Sequence, residues 1–198
     1  ANPVYRAVTL ADAAFTSSAY GTCMRTTWML QQTTTEALQV AATVLNPFGV
    51  PMARDDSEIA RDDNASTTAW GLDDVGAAYN LLMLPEGVPI DAYALTLNVY
   101  SDGQPSGFDL LDAAGNPAGV NFTVADVIET SGPPVTVDTA QIIATNTDTP
   151  RSGETLHITL LVPNGPVQVT LSGETWAVEQ MATSGRNWLR FDLPADAS

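Results

Sequence analysis

Apolar and polar residues alternate with a period of two along most of the chain, and Gly, Pro, Asn and Asp clusters separate the alternating runs. That pattern predicts short antiparallel strands joined by tight turns. Met24, Thr26, Trp28 and Leu30 share one face of the first clear run, and Leu38, Val40, Ala42 and Val44 share one face of the next. NPFG at 46–49 reads as the turn that follows. Tyr79, Leu81 and Met83 are expected to continue the inward series, then Tyr93, Leu95, Leu97 and Val99, then Val120, Phe122 and Val124. Thr96 and Asn98 alternate with the fourth set, as a half-solvated antiparallel strand requires. The expected core therefore includes Trp28, Leu38, Val40, Val44, Leu95, Leu97, Val99 and Phe122.

The fold class this implies is all-β: an antiparallel β-sandwich, Ig-like or jelly-roll, with a second small β module. ETSGPP at 129–134 is the linker candidate, because its prolines remove ladder donors and its Gly and Ser loosen the backbone. The division is residues 1–134 for the sandwich and 135–198 for a smaller module or extension packed on it. In the latter, Leu156, Ile158, Leu160 and Val162 face inward, with Val167, Val169 and Leu171 beyond. The segment 53–78 breaks the alternation and reads as an extended crossing loop. Asp102-Gly103 and Gly115-Asn116 sit where hairpin reversal calls for positive φ.

Composition narrows the function classes. The 198 residues carry 23 acidic and 7 basic side chains, a net charge of -16, and every basic residue is an Arg. With no basic patch to replace phosphate counterions, nucleic acid is excluded as a partner. No apolar run approaches the ~18 residues of a membrane helix, so this chain is not expected to insert. One cysteine, Cys23, reads as a small, partly buried hydrophobe, and one histidine, His157, falls on an outward strand position. Zinc, iron–sulfur and CxxC redox chemistry need more ligands than these. The start at Ala1 and the Lys-free, Thr- and Asn-rich composition point to an extracellular or cell-surface location.

Four stretches together resemble a known family: LQVAATVLNPFGVPMARDD, STTAWGLDDVGAAYNLLMLPEGVP, YALTLNVYSDG and LLDAAGNPAG. They are similar to the C-terminal β-sandwich domain of bacterial multi-span membrane proteins related to family-39 glycosyltransferases, over residues 22–128. The resemblance implies an extracytoplasmic, sugar-associated setting. It carries over no catalytic residue, since the glycosyltransferase chemistry of such proteins belongs to their membrane part.

Asp55, Asp56, Glu58, Asp62 and Asp63 form the densest acidic group and are the candidate ligands for calcium, a hard cation that takes oxygen donors. They lack the DxDxDG register, and a solvated acidic loop is the favoured reading, because acidic runs repel and extend. His157 has no G-x-S-x-G elbow to serve, so triad chemistry is not expected. Trp28 and Trp70 read as core. Trp176 and Trp188 are the candidate binding residues, with Trp188 favoured because it alternates with Arg190 and Asp192 opposite Leu189, Phe191 and Leu193. No other cofactor is implied. The expected function is a non-catalytic module for carbohydrate or protein binding at the cell surface. The alternative is a structural subunit of a surface filament or layer that self-assembles by strand addition, with Val4, Ala7 or Val8, and Leu10 in a donated N-terminal strand.

Overall fold

A computed structural model describes residues 4–18 and 21–195. It is built from antiparallel strands and one 3-10 turn, Thr67–Ala69. The strands are β1 Val4–Tyr5, β2 Val8–Ser18, β3 Gly21–Leu30, β4 Gln39–Leu45, β5 Pro51–Glu58, β6 Val75–Leu82, β7 Asp91–Tyr100, β8 Leu110–Leu111 and β9 Asn121–Thr130, followed by β10 Gln141–Thr145, β11 Thr155–Val162, β12 Val167–Ser172, β13 Ala177–Ala182 and β14 Gly185–Asp192.

The chain forms two compact units. The first comprises Ala1–Met83 with Asp91–Thr130, and the second Leu84–Ile90 with Ser131–Ser198. The break falls inside ETSGPP, but Leu84–Ile90, placed by the sequence reading in the first domain, belongs to the second unit. Hydrogen bonding explains this: Gly87 N donates to Pro133 O and Gly132 N to Val88 O along the backbone, and the Arg186 side chain donates from Nε to Glu86 O.

In the first unit a sheet in the order β6-β3-β2-β1-β8 packs on one in the order β5-β4-β7-β9. The sandwich core lies between them. Trp28, Leu30, Leu38, Val40, Val44, Tyr93, Leu95, Leu97 and Val99 are essentially inaccessible. Tyr5 ties the layers together: its ring lies 5.9 Å from that of Trp28, and its hydroxyl donates to Leu97 O at 2.9 Å. Burial pushes its phenol pKa well above the ordinary value. The NPFG turn is present, with the Asn46 carboxamide oxygen accepting from Phe48 N and Val50 N.

Several expectations are corrected. The 53–78 segment is no crossing loop. Its first part is strand β5, paired along β4, and its end is the start of β6. The inward face of β6 is Ala78, Asn80 and Leu82, so Tyr79, Leu81 and Met83 are exposed. Asn80 takes the inward register with its amide nitrogen donating to Val40 O and Asp55 O, while its carboxamide oxygen is buried with no hydrogen-bond partner among the described residues. Cys23, opposite Leu81, is exposed with it. Phe122, near the sheet edge on β9, is half-buried. Left-handed backbone occurs at Gly107 (φ 99°) and Gly115 (φ 84°), while Gly103 is not in that region. Gly107 packs directly over the Asn98 carboxamide, an approach that a Cβ would block.

In the second unit the sheet β10-β11-β14 is faced by the hairpin β12-β13. Leu156, Ile158, Leu160, Val162, Ala182, Leu189 and Phe191 form its core, with Val167, Val169, Leu171 and Val178 packed against it. Burying one side of each sheet matches the alternation in these strands.

Candidate functional site

The acidic group does not converge. Asp55 and Ser57 point from β5 towards β6, where Leu81 N donates to Asp55 Oδ2 at 2.7 Å and Tyr79 N to Ser57 Oγ at 3.1 Å. Asp56 lies on the opposite face and pairs with Arg54 at 2.8 Å, and that hydrogen bond holds its carboxyl below the usual range. Glu58 is exposed beyond them. Asp62 is exposed in the following turn. Asp63 and Asp74 do come together, but around a cation: Arg61 bonds Asp63 at 3.0 Å and Asp74 at 2.8 Å. Among the described residues, no group of three or more His, Cys, Asp or Glu side chains is placed to hold a metal ion. Asp55 caps an edge strand, and Asp56, Asp63 and Asp74 pair with arginines.

Trp188 lies on the outward face of β14, opposite Thr159 and two register positions from the His157–Arg190 pair. It is half-buried within a strand surface. Trp176 is placed differently. Gly173 N bonds to Trp176 O at 3.0 Å, closing the loop between β12 and β13 and fixing the indole at the hairpin tip. There it forms one wall of a cleft of about 180 Å³, shared with Arg151, Ser152, Leu171, Ser172 and Leu193. Its indole N–H is buried with no hydrogen-bond acceptor among the described residues. Such an orphaned donor costs roughly 1–3 kcal/mol. The two tryptophans are therefore not one site, and the enclosed one is Trp176.

Opposite the hairpin tip, the 151–154 turn sets the position of Arg151. Its backbone N donates to Glu154 Oε2 at 3.0 Å, and Glu154 N returns a bond to Arg151 O at 3.1 Å. Gly153 takes φ 74° in this turn, and Gly153 N bonds to Pro194 O at 3.0 Å. The Arg151 guanidinium has no ion-pair or hydrogen-bond partner among the described residues. Arg25, Arg54, Arg61, Arg186 and Arg190 all donate to named partners. Arg151 and Arg6 are the two exceptions, and each lines a cleft. The Arg6 cleft, about 280 Å³, adds Gln32, Thr33, Thr35, Glu36 and Phe108.

A third depression of about 390 Å³ lies on the outer face of β2, β3 and β6, between Thr16, Cys23, Arg25, Tyr79 and Leu81. Sequence reasoning missed this face because it assigned Tyr79 and Leu81 inward. The chain matches no model of a known protein family and no curated protein. Among the described residues no helix is long and apolar enough to cross a membrane.

Proposed function

We propose that this chain is a non-catalytic, extracytoplasmic β-sandwich module that binds carbohydrate, and that the Trp176 cleft is where it does so. The observation that carries this reading is the indole N–H of Trp176, orphaned among the described residues, in the wall of a cleft that also holds the Arg151 guanidinium, two serines, two leucines and a proline. A sugar presents both an apolar C–H face and a rim of hydroxyls. An aromatic wall with leucines suits the first, and a few placed donors and acceptors suit the second. The sugar-associated setting implied by the family resemblance agrees with it. Affinity electrophoresis through soluble polysaccharides tests the proposal, with Trp176→Ala expected to lose the retardation of the parent chain. Unretarded migration of the parent through every polysaccharide would overturn it.

A self-assembling structural subunit is the second reading, favoured by one strand. Among the described residues β10 pairs only with β11, all five of its residues are exposed, and Ile142 and Ile143 are among them. An unpaired apolar edge is a template for strand addition. The N-terminal strand is not a free donor, since β1 pairs with β2 and β8 and β2 pairs with β3. The occupant under this reading is β10 of a second copy. Light scattering should then show an oligomer that Ile142→Lys dissociates; a monomer at all concentrations would reject this reading.

A further inference from the structure

We infer that the Trp176 cleft selects an acidic sugar, one carrying a carboxylate or sulfate, with Arg151 as the residue that recognises the anion. This rests on the carbohydrate reading above and adds the class of sugar. The argument is one of charge. In a chain of 23 acidic and 7 basic side chains, a guanidinium has carboxylates available at three-to-one odds, and five of the seven arginines are bonded to a carboxylate, hydroxyl or carbonyl oxygen. Arg151 is not, although Glu154 stands three residues away.

The reason is local. The Glu154 carboxylate is turned to the backbone N of Arg151. Asp192, at the end of β14, is taken by Thr155 Oγ1 at 2.7 Å and by Arg190. Glu174, in the hairpin loop, does not line the cleft. Among the described residues the lining thus holds one positive charge and no negative one. Guanidinium presents planar, paired N–H donors that match the oxygens of a carboxylate or sulfate, and such charge-assisted bonds are about twice as strong as neutral ones. The distant carboxylates that give the chain its -16 charge are screened over ~8 Å at physiological ionic strength, so the near guanidinium governs the site. The Arg6 cleft differs here: Glu36 lines it beside the arginine, so it holds no comparable excess of positive charge.

Calorimetric titration of the whole chain with three probes tests this: a uronate oligomer, the same oligomer with its carboxyls reduced to alcohols, and a sulfated form of the reduced oligomer. The uronate or the sulfated probe is expected to bind at least about tenfold more tightly than the reduced one. Which of the two does so identifies the anion. Arg151→Gln is expected to erase that difference while keeping the affinity for the reduced oligomer, and Trp176→Ala to lose all three. Equal affinity of the parent chain for the three probes would overturn the inference and leave the carbohydrate reading standing. No binding of any probe would overturn both.

Discussion

The backbone N–H of Leu81 donates to the Asp55 carboxylate at 2.7 Å, joining the edge strand of one sheet to the edge strand of the other. Beside it, Ser57 accepts from Tyr79 N. The free side of β6 is thereby capped by side chains of β5, which removes an exposed ladder of donors. An acidic run that suggests a cation site thus supplies hydrogen-bond acceptors to a sheet edge.

Asp55→Ala should lower stability by about 1 kcal/mol, because it strips the acceptor from an edge N–H. Asp56→Ala, which loses only the exposed pair with Arg54, should cost less than about 0.5 kcal/mol. Urea unfolding of both variants measures the difference. Equal effects would mean that the β5–β6 bond contributes nothing.

Calcium should change the melting temperature little, since Asp55, Asp56, Asp63 and Asp74 already have partners and Glu58 and Asp62 do not converge with them. A saturable rise with added Ca²⁺, lost when Asp55, Asp56, Asp62 and Asp63 become Asn, would contradict this.

The inverted face of β6 can be tested directly. Leu81→Glu should stay within about 0.5 kcal/mol of the parent, as exposed substitutions do. Leu82→Glu places a charge in the core and should cost several kcal/mol. The reverse order would put the sequence-based face assignment back in place.

That inversion shows what was legible. Strands whose inward residues are uniformly large and apolar, such as β7 with Tyr93, Leu95, Leu97 and Val99, were read correctly, because alternation and burial coincide. In β6 they diverge: the inward residues include Asn80, whose burial depends on acceptors at Val40 O and Asp55 O in strands remote in sequence. No local pattern carries that information. The same limit applies to the cleft. Trp176 was recognisable as a candidate, but Trp188 had the better pattern, and only the fold brings the 151–154 turn and Leu193 against the hairpin tip. Arg151 carried no sequence signal, because its lack of a partner is a property of the packed chain.

Acid should weaken the second glycine turn in a defined range. Asp112 accepts from Asn116 N and Ala114 N at 2.8 Å each, and these bonds hold its carboxyl below the ordinary value. A depressed folded-state pKa stabilises above the unfolded value, about 3.9, and the contribution is lost as pH falls through the folded value. The melting temperature of the parent should therefore exceed that of Asp112→Ala at pH 7, with the gap closing below about pH 4. A gap unchanged down to pH 2 would show that the turn's stability does not depend on the carboxylate charge.

The most direct test of the central claim is affinity electrophoresis of the parent chain, Trp176→Ala and Trp188→Ala through the same panel of soluble polysaccharides, with melting temperatures taken alongside. If the module binds sugar at the hairpin-tip cleft, at least one polysaccharide retards the parent and Trp188→Ala, and Trp176→Ala runs free while melting with the parent to within a few degrees. A folded Trp176→Ala chain that is retarded as strongly as the parent, or a parent that no polysaccharide retards, would contradict the account.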